Sequence, residues 1–170
     1  DFVLVPRHVH RVKEVRRLLD RRGVSYELRS AATDMRAPET VLLVDTMGEL
    51  EPLFGLARVV FLGGSLAPVG GHNLLEPAAA GRALIVGPHL DNCRAEAELL
   101  EGAKGLVIVT DGTGLCEAVT DLLADPGRCQ SLGSCARQAA LSLQGAADAD
   151  VALLARHHLL DAAPLHMSEG

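Results

Sequence analysis

Glycines, a histidine, an asparagine and a glutamate crowd into residues 59–77, VVFLGGSLAPVGGHNLLEP, in a pattern suited to holding an anion. The apolar run Val59 to Leu62 predicts a buried strand that runs into Gly63, Gly64 and Ser65, and then into Gly70, Gly71, His72 and Asn73. Glycine at such places lets the backbone approach a ligand closely. Asn73 has the character of a helix N-cap, with Glu76 in capping-box spacing and Pro77 inside the first turn, where its missing N–H costs little. Free amides at a helix start, behind a glycine-rich strand end, make a place for a phosphate. The helix-terminus contribution is only about 0.3–2 kcal/mol, so orientation must come from the groups around it.

Other stretches carry similar potential. Pro6 and Arg7 follow the apolar run Phe2 to Val5, and an arginine there can grip a phosphate with two parallel bonds; a surface ion pair is the plainer alternative. Thr46-Met47-Gly48-Glu49 reads equally as a capping box and as a loop lying against a flat base, with Glu49 or a carbonyl reading the polar edge. Glu76 is open to the same double reading, as a cap or as the acceptor for a ribose diol. His72 and His89, with His8 or His10, are conceivable metal ligands, but loop histidines near an anion site serve more often as hydrogen-bond donors. No metal and no cofactor is expected. No G-x-G-x-x-G follows the first strand, which disfavours a dehydrogenase.

The elements that must position these residues alternate between strand and helix. Strands are expected at residues 2–5, 24–28, 41–44, 59–62, 83–86 and 106–109. Helices are expected along the face Val9, Val12, Val15, Leu18 and Leu19, ended by Gly23, and in short form through Phe54 and Leu56. Further helices are expected at about 74–80, 92–101 and 114–124, then from Pro126 to about Leu143, with Gly145 separating a last helical segment at 146–160. Arg29 to Glu39 reads as a polar loop. This spacing implies βαβ units and an α/β fold: a Rossmann-like parallel six-stranded sheet with helices on both faces, spanning residues 1–160, with 161–170 a frayed tail. Ligands of such sheets bind beyond the carboxyl ends of the strands, where all the distinctive loops fall.

Composition bounds the rest. The chain has 170 residues, 48% hydrophobic and 22% charged, which suits one soluble globular domain. It opens at Asp1 beside a strand-like run, so a piece of a longer protein is expected. The net charge of −6 argues against nucleic acid as main partner. Basic residues nonetheless concentrate at Arg7, Arg11, Lys13, Arg16, Arg17, Arg21 and Arg22, either a solvated face or one turned to anionic lipid or an anionic substrate. Cys93, Cys116, Cys129 and Cys135 form no C-x-x-C pair, so neither a zinc knuckle nor a redox motif is indicated, and reduced thiols are expected.

Taken together, PRH, DTMGEL, GGSLAPVGGHNLLEPAAAG and GPHLDN resemble the Kdo (3-deoxy-D-manno-octulosonic acid) transferases of lipopolysaccharide synthesis. The likeness is strong from Val3 to Asn92 and rests beyond that on helical pattern; LEPAA alone is shared by many two-Rossmann-domain (GT-B) glycosyltransferases. The resemblance implies the C-terminal, donor-binding half of such an enzyme, with CMP-Kdo as donor and a lipid A precursor (lipid IVA) as acceptor. It implies that Pro6 and Arg7 contact the nucleotide phosphate, and that Met47, Gly48 and Glu49 surround cytosine. It further implies that Ser65, Gly70, Gly71, His72, Asn73, Leu74, Leu75 and Glu76 hold phosphate and ribose. Cys93 stands where the family often has phenylalanine, and Ala67 where valine is frequent. The catalytic base, acceptor groove and membrane anchor are expected in an N-terminal half outside this chain. The whole protein is accordingly expected at the cytoplasmic face of the inner membrane, with this piece soluble and inactive alone. A GT-B enzyme using a UDP-sugar and a non-catalytic domain that borrows the fold are the alternatives.

Overall fold

The computed structural model of the protein describes residues 2–32 and 39–156, with side chains to residue 143. Part of the expected polar loop (33–38), the end of the last helical segment (157–160) and the expected tail (161–170) lie outside the described residues. Within the span read as one domain the chain divides into two compact units, Asp1–Leu53 and Phe54–Gly170.

The first unit is a parallel three-stranded sheet made of β1 (Phe2–Leu4), β2 (Tyr26–Leu28) and β3 (Val41–Leu43), in the order β1-β3-β2. Phe2 and Tyr26 both stand opposite Val41. A 3-10 turn at Val9–Arg11 leads into α1 (Val12–Arg22). Gly23 ends that helix as the sequence predicts. At φ 64° it takes the left-handed conformation, its amide donating to Asp20 O and that of Val24 to Leu19 O, which satisfies carbonyls the last turn would leave open. The unit's core is thin: Leu43, Val41, Val44 and Val12 are buried, while Phe2 and Leu18 are exposed.

α2 spans Leu50–Leu56, and its Phe54 belongs to the core of the second unit. There β4 (Val59–Phe61), β5 (Ala83–Val86) and β6 (Leu106–Ile108) form a second parallel sheet with β5 in the middle. All four β5 residues are buried, as a central parallel strand covered on both faces requires. Alternation sends Leu84 and Val86 to one face, with Leu74, Leu100 and Ala136, and Ala83 and Ile85 to the other, with Val109, Leu122 and Cys129. Each fully buried leucine contributes about 1.5–3 kcal/mol.

The helices of this unit are α3 (Leu75–Ala79), α4 (Arg94–Gly102), α5 (Gly112–Ala124) and α6 (Pro126–Arg156). Asp111 caps α5 through Gly114 N, and Asp125 accepts from Arg128 N ahead of α6, whose first residue is the proline. Glycine lets α6 sit close: a Cβ on Gly133 would lie 2.2 Å from Gly81 O, and one on Gly105 2.7 Å from Ala136 Cα.

Two expectations need correction. The six strands form two sheets of three, not one of six. An apolar run predicts that a strand exists, but lateral partners are chosen by packing between distant segments, on which periodicity is silent. Nor does Gly145 break the last helix: α6 continues through it to Arg156. A single interior glycine costs only about 1 kcal/mol relative to alanine, too little to stop a long helix.

Candidate functional site

The glycine loop of the second unit leaves β4 with Leu62 N donating to Ile85 O, and is then fastened to the loop that follows β5. Ser65 is fully buried. Its hydroxyl donates to Leu62 O at 2.5 Å and accepts from Gly87 N at 2.8 Å, while its carbonyl accepts from His89 N at 2.9 Å. Further along, Asn92 N donates to Gly70 O at 2.9 Å and Asn92 Nδ2 to Val69 O at 3.3 Å. Ser65, read from the sequence as a ligand contact, is therefore a clamp whose side chain is closed to solvent.

The glycines here have a structural reason the sequence did not reveal. Gly70 and Gly71 both have positive φ, 93° and 74°, where other residues are strained. A Cβ on Gly70 would meet Asn92 Nδ2 at 2.3 Å, and one on Gly71 would meet Cys93 Sγ at 3.0 Å. The space that was expected to admit a ligand is filled, on this side, by the neighbouring loop. Cys93 is buried in the core, accepts a hydrogen bond from the His72 backbone, and has its thiol pKa raised chiefly by burial.

The start of α3 departs from the expected capping box. Asn73 Oδ1 accepts from Leu75 N at 2.9 Å, and Asn73 Nδ2 donates to Glu76 Oε1 at 2.8 Å, so the carboxylate meets the side-chain amide instead of the Asn73 backbone N–H. The cap position itself is Leu74, which is fully buried, and α3 is only five residues long. A helix that short adds little macrodipole. Leu74 thus anchors the loop in the core. Asn73 and Glu76 are exposed, with His72 and Leu75 half-buried.

In the first unit, Pro6 and Arg7 follow β1, and Met47, Gly48 and Glu49 follow its neighbour β3, on the same sheet edge. Arg7 and Met47 are exposed, Met47 by 85%, and Gly48 takes φ 80°. Thr46 Oγ1 donates to Glu49 Oε1, and Arg29 Nε donates to Glu49 Oε2 at 2.7 Å. These bonds, Thr46 first, hold the Glu49 carboxyl below its ordinary pKa. Asp45 is lowered likewise, by the Ser30 hydroxyl at 2.6 Å and then the Ser30 amide at 2.9 Å. The second capping box is thus a side-chain pair, with α2 beginning after it at Leu50. Arg29 and Ser30 were missed as members of this cluster. The available signal was that Ser30 and Asp45 each stand two residues beyond the strand ends Leu28 and Leu43, which becomes decisive only once those leucines are known to be paired. His8 and His10 stack on each other, ring centroids 5.2 Å apart.

No family model matches this sequence. Among curated proteins it is 37% identical over 137 residues to the 3-deoxy-D-manno-octulosonic acid transferase of Bordetella pertussis, covering 80% of this chain and 32% of that protein. It is 41% identical over 128 residues to the transferase of the same description from Chlamydia muridarum, covering 75% and 29%. The chain therefore spans about a third of the length of the curated relatives it matches. Among solved structures, the C-terminal CMP-Kdo binding domain of WaaA from Acinetobacter baumannii aligns with a TM-score of 0.76 at 31% identity, covering 81% of this chain and 72% of that one. This chain belongs to the Kdo transferase family. As a Kdo transferase segment it has an α/β fold with parallel sheets, and its most distinctive stretch, residues 59–77, is the loop system clamped by Ser65 and Asn92.

Proposed function

We propose that this chain binds CMP-Kdo, and that the longer protein to which it belongs is a GT-B glycosyltransferase moving Kdo onto a lipid A precursor. The observation that carries this reading is the likeness, in sequence and in fold, to a solved domain described as CMP-Kdo binding. In the transfer, the bond from the sugar's anomeric carbon to the phosphate oxygen breaks and CMP leaves with the negative charge. Groups poised where that charge develops accelerate the step. In the second unit these are the amides of Gly70 and Gly71, with His72 and Asn73 beside them, while Glu76 accepts from the ribose hydroxyls through the lone pairs that Asn73 does not engage. In the first unit, taken by itself, Arg7 beside Pro6 is the candidate group for a phosphate, and the Met47-Gly48 backbone with Glu49 is the candidate surface for a cytosine. Ser65, Leu74 and Leu75 hold the loop in shape.

The general base is assigned to a part of the longer protein outside this chain, so the isolated chain binds nucleotide and transfers nothing. The proposed location is the cytoplasmic face of the inner membrane, with the exposed cations of α1 toward anionic lipid. Among the described residues no helix is long and apolar enough to cross a membrane. The test is nucleotide preference measured by calorimetry or NMR titration. CMP binding tighter than UMP or UDP is expected, and the reverse order would point to a UDP-sugar enzyme. Loss of transferase activity in full-length Arg7→Ala or Glu76→Ala is expected as well, and unchanged activity in both would favour a non-catalytic domain.

A further inference from the structure

Asn92 touches the glycine loop at two consecutive peptides. Its backbone amide donates to Gly70 O at 2.9 Å, and its side-chain Nδ2 donates to Val69 O at 3.3 Å. A peptide unit is planar, so a donor that fixes a carbonyl also fixes the N–H on the other side of the same plane. The plane that carries the Val69 carbonyl carries the Gly70 amide, and the plane that carries the Gly70 carbonyl carries the Gly71 amide. Asn92, itself exposed, thus sets the orientation of two neighbouring N–H groups on glycines that are buried. The fit is tight on the other side too, because the Asn92 amide group occupies the space a Gly70 side chain would need, 2.3 Å from an ideal Cβ.

We propose that Asn92 is a positioning residue for donor binding, holding the Gly70 and Gly71 amides toward the nucleotide phosphate. This rests on the CMP-Kdo reading above. Its effect belongs to the phosphate, not to the base or the ribose, which separates it from a general contribution to folding. The cost of losing the side-chain bond is that of one neutral hydrogen bond, about 3–10-fold in affinity.

The experiment uses the 170-residue chain, with CMP and cytidine as probes, and the variants Asn92→Ala and Asn92→Asp. Asn92→Ala retains the backbone bond to Gly70 O and loses the donor to Val69 O. Asn92→Asp keeps the shape but sets a carboxylate against that carbonyl. CMP affinity is expected to fall about 3–10-fold in Asn92→Ala and further in Asn92→Asp, while cytidine affinity stays within about twofold of the wild type. CMP binding unchanged in both variants overturns the proposal, and so does an equal loss for CMP and cytidine. If the wild-type chain binds no CMP, the donor reading fails on its own account. Amide hydrogen exchange at Gly70 and Gly71 reports the positioning separately: faster exchange in Asn92→Ala is expected, and unaltered exchange overturns the proposal.

Discussion

The carbonyl oxygen of Ser65 lies 2.3 Å from the point where Gly87 would carry a Cβ, and the Ser65 carbonyl carbon and Leu66 nitrogen are almost as near. All three are backbone atoms, so no flexible side chain can swing aside. Gly87→Ala must push the glycine loop away from the end of β5. Overpacking of this kind costs about 1–3 kcal/mol, and a loop pinned on both sides belongs at the upper end. Urea unfolding should show a lower midpoint with an unchanged slope. Wild-type stability in that variant would contradict the close approach.

Ser65→Ala tests the same junction from its polar side. The buried Gly87 amide has the Ser65 hydroxyl as its acceptor, and alanine leaves it unpaired in a place closed to water. An orphaned buried donor costs about 1–3 kcal/mol. Ser142→Ala is the control, since that hydroxyl donates only within its own helix, to Ala139 O. Equal stability losses in the two variants would remove the special role of Ser65.

Much of this was legible in the sequence wherever the determinant lies within a turn or two of the residue concerned. Gly23 ends α1 because a left-handed residue is needed at its own position, and Pro126 begins α6 because its missing N–H is spare there. Four consecutive apolar residues placed β5 correctly. The failures involve partners far along the chain. Asn73 looked like the cap of a helix, but the buried side chain of Leu74 fixes where α3 begins, and that depends on a core formed with Leu84 and Leu100. Gly70 and Gly71 looked like room for a ligand. They also make room for Asn92 and Cys93, whose placement depends on β4 and β5 being neighbours.

The thiols should separate by exposure. Cys116 is exposed, whereas Cys93 and Cys129 are buried and burial raises the Cys93 pKa, which keeps it in the unreactive thiol form. Iodoacetamide at neutral pH should alkylate Cys116 first, and Cys93 only as fast as the second unit opens. Mass mapping of early products that finds Cys93 modified alongside Cys116 would contradict the packing beneath Gly71.

Acid should loosen the first unit's loops. Asp45 and Glu49 have lowered pKa values, through Ser30 and through Thr46 with Arg29 respectively, so between the lowered and the ordinary values the unfolded chain holds protons that the folded one has released. Stability therefore rises with pH there. The contribution is complete above the ordinary carboxylate range and is lost as pH falls through the lowered values. The Ser30 amide resonance and its hydrogen exchange should report the change on acidification, and Ser30→Ala should move it to higher pH. Insensitivity of the Ser30 amide across the whole acid range would argue against the Asp45 bond.

The most direct measurement is a residue-resolved NMR titration of the 170-residue chain with CMP. Saturable shifts at Gly70, Gly71, Asn73 and Glu76, together with Arg7 and Gly48, are the predicted result, and inorganic phosphate should reproduce the part at Gly70, Gly71 and Arg7. Saturable CMP binding whose shifts avoid the glycine loop and Arg7 altogether would contradict the account.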